Sequence, residues 1–229
     1  MHIGQGIIKE LTLWDGMTAA WIACPPNLIP APGQYLLAHA AGSDAPLPAS
    51  VFAAGFQPGA FLAAPPVPGS WTPGMRLNLR GPLGRGFSLP ANARRVALIA
   101  WNGHAGLLSL VAAAFEQGAA LTFLADNPPE ELPLQIESQP LSAVDEVMEW
   151  ADYAALGVDR AELPEIRERF GALDQARVGN EAQVLVSAPM PCGGVAECGV
   201  CAVQAREGWR MACKDGPVFN LRGLISTRF

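Results

Sequence analysis

Lysine is almost missing from this chain. Two occur in 229 residues, and Asp, Glu, Lys and Arg together make up only 16% of the sequence, with a net charge of -6. No basic cluster appears, so a nucleic-acid surface, which needs Lys and Arg against phosphate, is excluded. Long apolar runs are missing as well. The longest, near 106–115, falls far short of the roughly 20 residues a membrane span requires, and no charged segment precedes an apolar one at the N-terminus. These absences predict a soluble, cytoplasmic protein with no nucleic-acid partner and no membrane span. Half of the residues are apolar. That share excludes a disordered chain and supplies cores for one large or two small domains.

Cysteine, too, is missing from most of the chain, and its distribution is the informative part. Four of the five fall within the last 38 residues, at Cys192, Cys198, Cys201 and Cys213, with the spacing C-x5-C-x2-C-x11-C. Three thiols on a glycine-bearing loop and a fourth further on suit a [2Fe-2S] cluster, whose ferredoxin-type loops use C-x4-C-x2-C and a distant fourth Cys. The first gap here is one residue longer. Gly193, Gly194 and Gly199 permit the close backbone approach that four converging thiolates need. Structural zinc is an alternative, although its ligands usually come as paired C-x2-4-C knuckles and only Cys198 and Cys201 form such a pair. Disulfides are the third reading, and they belong mainly to small secreted domains.

From Ile3 to about Pro90, short apolar runs are broken by Pro and Gly, which predicts an all-β barrel or sandwich. In Met75 to Leu79, alternation places Leu77 and Leu79 on one face and Arg76, Asn78 and Arg80 on the other. The texture changes at Arg94. Val96 to Ala100 reads as a strand, WNGHAG as a turn, LLSLVAAAFEQG as a helix and Leu121 to Ala125 as the next strand, a βαβ unit with a parallel sheet. After a Pro-rich acidic stretch, a helix is expected to start at Asp159 as N-cap, with Glu162 in the capping-box position. A third segment begins near Gln183 and carries the four thiols.

The string Met190, Cys192, Gly193, Cys198, Cys201, Cys213, Gly216, Pro217, Val218, Phe219 resembles the iron-sulfur domain of dihydroorotate dehydrogenase electron transfer subunits, which are related to ferredoxin reductases. PGQYLL at Pro32 to Leu37 and TPGMRLNLRGPLGRGF at Thr72 to Phe87 resemble the barrel strand and G-P-L-G-x-G-F turn of the same family. The resemblance implies an α+β multidomain protein: an FAD-binding-type antiparallel β-barrel at 1–93, a central α/β parallel-sheet domain of the NAD type at 94–182, and a small [2Fe-2S] domain at 183–229. It implies a cluster on Cys192, Cys198, Cys201 and Cys213, and a flavin wall at Ser50, Gly81, Pro82, Leu83 and Gly84. The implied partner is a catalytic dehydrogenase subunit carrying FMN, with NAD as final acceptor.

Several family contacts are altered. Leu47 stands where the family has an Arg before a P-x-S triplet, and leucine offers no charge-assisted contact to the flavin diphosphate. AAPPVPGSW at Ala63 to Trp71 replaces a Gly-Thr at a helix start, and its prolines remove backbone donors. The Ala100 to Gly106 turn keeps two glycines where a dinucleotide needs a closely spaced set, and Trp101 has entered it. Leu156-Gly157-Val158 is the nearest match to a later Cys-Gly-Pro turn. FAD binding is therefore left open and ordinary NAD binding is not expected. Of the remaining features, His104 reads as a solvated or capping residue, Cys24 as a small buried hydrophobe, Trp209 as a shield for the cluster, and the apolar tail after Cys213 as packing. Two functions follow: an electron-transfer subunit relaying electrons through the cluster, and FAD if it is bound, from a partner dehydrogenase; or a non-catalytic iron-sulfur accessory or redox-sensing protein.

Overall fold

The computed structural model describes residues 1–14, 16–103, 105–130, 132–171 and 181–225. Six strands come first: β1 (His2–Trp14), β2 (Met17–Ala23), β3 (Tyr35–Ala40), β4 (Ala49–Gln57), β5 (Ala60–Ala63) and β6 (Arg76–Leu83). They close into an antiparallel barrel in the order β1-β2-β5-β4-β3-β6. The alternation read from sequence is what closes it. Leu77 and Leu79 of β6 point inward with Ile8, Ile22, Leu36 and Phe61, while Arg76 and Asn78 face water. Burying one face of each strand in this way supplies most of the barrel's stabilisation.

The second half begins with β7 (Arg95–Ala100), α1 (Ala105–Leu108), α2 (Val111–Glu116) and β8 (Ala120–Leu124). The single helix expected over LLSLVAAAFEQG is interrupted between α1 and α2. Buried Ser109 donates its hydroxyl to the carbonyl of Gly106 at 2.7 Å, a local bond that competes with the helix ladder. There follow β9 (Glu137–Gln139), α3 (Val144–Trp150), β10 (Tyr153–Asp159), α4 (Leu163–Gly171) and β11 (Glu181–Ser187), then β12 (Ala202–Ala205), β13 (Gly208–Met211), α5 (Ala212–Asp215), β14 (Val218–Asn220) and α6 (Leu221–Ile225). The central sheet runs β14-β11-β10-β7-β8-β9. Five of these strands are parallel, and β14 adds an antiparallel edge against β11. Both β11 and β14 flank the thiol-bearing stretch, so that stretch hangs from the sheet by its two ends.

The apolar tail packs inward. Val218, Leu221 and Leu224 are buried, and Phe219 and Ile225 lie against the same core. At the N-cap expected for α4 the structure differs: Asp159 precedes a 3-10 turn at Arg160–Glu162, and its side chain makes no capping bond. Its backbone N–H donates instead to Asn102 Oδ1 at 2.7 Å, which ties β10 to the turn after β7. Among the described residues, no helix is long and apolar enough to cross a membrane.

Two polar staples hold the sheet. Gln183 Oε1 accepts from Tyr153 Oη at 2.7 Å and from Ser88 N at 2.8 Å, fixing the barrel-to-sheet linker on β10 and β11. Asp152 accepts from Arg95 Nη2 at 2.6 Å and from the backbone N–H groups of Arg94 and Arg95 at 3.0 Å. The Arg95 hydrogen bond, with help from the Arg94 amide, holds the Asp152 carboxyl down at about 2. A depressed carboxyl contributes stability that is present above its unfolded value near 3.9 and is lost as pH falls toward the folded value. Acid unfolding followed by circular dichroism is therefore expected to show a shallower slope between about pH 4 and pH 2 in Asp152→Asn than in the parent protein.

Candidate iron-sulfur site

Cys192 lies in the turn that follows β11, Cys198 in the exposed loop beyond it, Cys201 just before β12, and Cys213 in α5. The long gap from Cys201 to Cys213 is spanned by the β12–β13 hairpin, which returns the chain so that the Ala212 N–H donates to the Cys201 carbonyl at 3.1 Å. That return brings the last thiol back to the first three. All of these cysteines are free thiols. Cys192 and Cys198 have their sulfurs 3.7 Å apart, and Cys201 and Cys213 theirs 3.2 Å apart. Two thiolates on one tetrahedral metal at ~2.3 Å stand about 3.8 Å from each other. The Cys192–Cys198 pair matches that spacing and the Cys201–Cys213 pair is shorter, Cys192 and Cys213 link the two pairs, and among the described residues no three Cys, His, Asp or Glu side chains close on a single point. Two dithiolate pairs suit a two-iron cluster better than one four-thiolate zinc.

The two pairs differ in setting. Cys198 is exposed and Cys192 half-buried, while Cys201 and Cys213 are buried. Burial raises Cys192, but hydrogen bonds from the Ala196 and Gly194 backbone and from Cys198 outweigh it and leave the thiol below its ordinary value. Cys213 is pushed up to about 12 by burial and by the Cys201 thiol beside it. A cation between the thiols removes both penalties, as expected of a set of metal ligands.

The barrel supplies the back wall. Tyr35, fully buried on β3, donates its hydroxyl to the Cys213 carbonyl at 3.3 Å, and its ring packs on Phe52 at 5.8 Å. Ser50 Oγ donates to the Met190 carbonyl at 3.4 Å. The Gly81-Pro82-Leu83-Gly84 turn, with a cis bond before Pro82, runs along Gly216-Pro217. Arg85 N donates to the Gly216 carbonyl at 2.5 Å, and Leu83 is buried in the core shared with Cys201 and Cys213. Gly84 has φ +72°, and a Cβ there would lie 2.5 Å from Pro217 Cδ and 2.7 Å from the Gly216 carbonyl. Ser50, Leu83 and Gly84 therefore meet the thiol-bearing segment, whereas Gly81 packs on Tyr35 and Leu36 of the barrel.

Neither Ser50 nor any of Gly81 to Gly84 lines the large cleft between barrel and sheet. This cleft, about 640 Å³, is bounded by Phe52 and Ala64 to Pro66 on the barrel and by the carboxyl ends of β7, β8, β10 and β11, where open α/β sheets usually bind ligands. Its described lining has Asp126 and Asp159 and no Lys or Arg. Residues 64–75 contain no helix, so that stretch offers no helix N-terminus to a phosphate, and Leu47 stands exposed in place of the family's Arg. In the turn after β7 the chain packs on itself, with the Gly103 carbonyl pressed on Gly157, leaving no room for a Cβ there, and Leu185 against Gly106, while these residues still border the cleft. The Trp101 ring is not the obstruction, since it packs toward Phe170 of α4 at 6.2 Å. The residues present do not fit the diphosphate of FAD or NAD. His104 lies outside the described residues.

Residues 188–225 match the iron-sulfur cluster binding domain of dihydroorotate dehydrogenase B. Over 170 residues the chain is 33% identical to a probable dihydroorotate dehydrogenase B (NAD(+)) electron transfer subunit of Pyrococcus furiosus. The chain is thus similar to dihydroorotate dehydrogenase B electron transfer subunits. The match takes in 66% of the chain and 64% of that relative, so the chain aligns with a little under two thirds of the relative's length. The fold is ferredoxin-reductase-like. It superposes on the NADH-dependent reduced ferredoxin-NADP oxidoreductase structure with a TM-score of 0.72 at 18% identity, over 96% of this chain and 88% of the other. The flavohem-like FAD/NAD binding domain of nitric oxide dioxygenase from Vibrio cholerae gives 0.59 at 15% identity, over 81% and 98%.

Three residues depart from expectation or were not singled out from sequence. Trp209, expected to shield the cluster, points from the hairpin into solvent and is 66% exposed. Cys24 is half-buried rather than buried, packs against the barrel core, and is raised to about 11 by burial. Arg80, assigned only to the outer face of its strand, donates to the carbonyls of Cys192 and Gly193 at 2.7 and 3.1 Å. No local sequence pattern signals that contact.

Proposed function

We propose that this chain is the electron-transfer subunit of an oxidoreductase, with Cys192, Cys198, Cys201 and Cys213 holding one [2Fe-2S] cluster. The arrangement of the thiols as two pairs, 3.7 and 3.2 Å apart, carries this reading. The cluster, when bound, supplies one-electron storage. Cys201 and Cys213, backed by Tyr35, keep water from one side, while the loop around Cys198 brings the other side to the surface. Val195, 71% exposed, sits in that loop, and Met1, 73% exposed, reaches the Arg80 guanidinium beside it. Exposed apolar side chains next to a redox centre favour a docked protein partner. The partner is proposed to be a catalytic dehydrogenase subunit of the FMN type, as the resemblance implies, with both proteins in the cytoplasm, where thiol ligands stay reduced. No step is assigned to FAD or NAD, because the cleft lacks the diphosphate contacts.

The same cleft favours one second reading, a cluster protein that reports redox state without passing electrons on. Anaerobic purification with iron, sulfide, zinc and released-flavin analysis tests the proposal. Two irons and two sulfides per chain, without stoichiometric flavin, are expected. Zinc in place of iron would sink the electron-transfer reading. Cluster reduction that a low-potential donor achieves but no electron acceptor reverses would favour the sensor.

A further inference from the structure

Arg80 is anchored on the barrel yet acts on the other side of the seam. Its Nη2 donates to the Cys192 carbonyl at 2.7 Å and to the Gly193 carbonyl at 3.1 Å, and Nη1 lies 3.8 Å from Met1 Sδ. Gly193 is at φ +52°, and a Cβ there would strike Arg80 Nη2 and come within 2.6 Å of Leu37 Cδ1. The first ligand turn is thus laid directly on the guanidinium and on Leu37. The stretch from Cys192 to Cys198 is one residue longer than in ferredoxin-type loops, and a longer loop has more conformations to lose on closing. Arg80 fastens the first two carbonyls of that stretch.

Resting on the relay reading, we infer that Arg80 is a positioning residue for the cluster: it pins the Cys192 turn and, as a permanent cation beside it, raises the reduction potential. The physical basis is the charge on the centre. One-electron reduction adds a negative charge to a site already ligated by four thiolates, and a fixed positive charge nearby favours the reduced form. The guanidinium stays protonated at every working pH and presents a planar fork to two acceptors. Lysine keeps the charge but offers a compact point donor on a flexible stem, so the two contributions can be separated. Two further cations lie close to the loop, Lys214, whose aliphatic stem runs over Gly194, and Arg160, which donates to the Val200 carbonyl; both are left in place as internal references.

The test is a dithionite redox titration of the anaerobic full-length protein, read in the visible spectrum, together with the rate of iron release to a chelator. Arg80→Gln is expected to lower the reduction equilibrium constant about tenfold, which is 59 mV for a one-electron couple, and to release iron several-fold faster. Arg80→Lys is expected to hold the potential near that of the parent and still lose iron faster. A parent-like potential and release rate in Arg80→Gln would overturn the inference, as would an equal fall in potential in both variants. Should Arg80→Gln not retain a cluster, Arg80→Lys decides alone: faster release at a kept potential supports the role, and an unaltered rate overturns it. Zinc in the parent protein would defeat the relay reading itself, whereas a parent with iron and sulfide whose variants match it defeats only the role of Arg80.

Discussion

Serine in place of Cys192, Cys198, Cys201 or Cys213 is expected to remove the visible thiolate-to-iron absorption, with iron falling to about a tenth of the parent value or less. Cys24→Ser is expected to keep both. The geometry sets this apart from a general loss of fold. Each proposed metal position is served by two sulfurs, so one serine leaves a three-sulfur site, whereas Cys24 lies on the barrel core, remote in sequence from the loop and packed against other residues. Because the site is preformed only in the folded chain, metal binding and folding of 188–225 share their free energy. The serine variants should therefore also melt earlier, with the β12–β13 hairpin, which joins the third and fourth thiols, becoming protease-sensitive first. Retained colour in Cys213→Ser would break the proposed ligand set.

Gly84→Ala is expected to loosen the seam between barrel and cluster segment and so destabilise both. The left-handed conformation costs a residue with a Cβ roughly 1–2 kcal/mol, and forcing that atom against Pro217 and the Gly216 carbonyl adds about 1–3 kcal/mol of overpacking. At this chain length a kcal/mol moves Tm by about 2–4 °C, so a drop of roughly 10 °C is expected. Gly69→Ala is the control, since a Cβ at Gly69 meets nothing within 4 Å and its φ is not in the left-handed range. Thermal unfolding of the two variants measured side by side checks the prediction, and equal melting temperatures would refute the account of the seam.

Chemistry that lies close together in sequence was legible. The strand of β6 could be read because alternation of Leu77 and Leu79 with charged neighbours is a local consequence of the pleat. The βαβ order around β7 and β8 was legible for the same reason. Where a local rule competed with tertiary contacts, it lost: Asp159 gives its backbone N–H to Asn102 and leaves the cap unmade, and Trp209 is held outward by the register of its hairpin, opposite Gln204. Ser109 split an otherwise continuous helical pattern through one short hydrogen bond that residue counting does not register.

The sequence by itself determined the crowding and spacing of the four thiols, the resemblance to an electron-transfer family, and the succession of barrel, parallel sheet and thiol-bearing segment. These are written in residue types and short separations, which survive without knowledge of the fold. Only the tertiary structure decided how the thiols pair, that Gly84 packs on Gly216-Pro217 and does not line the cleft, and that the Gly103 carbonyl is pressed on Gly157. It also placed Arg80 on Cys192, 112 residues away. The reason is physical: these contacts join residues that only sheet closure and chain return bring within hydrogen-bond range, and no local pattern encodes which distant carbonyl a side chain will meet.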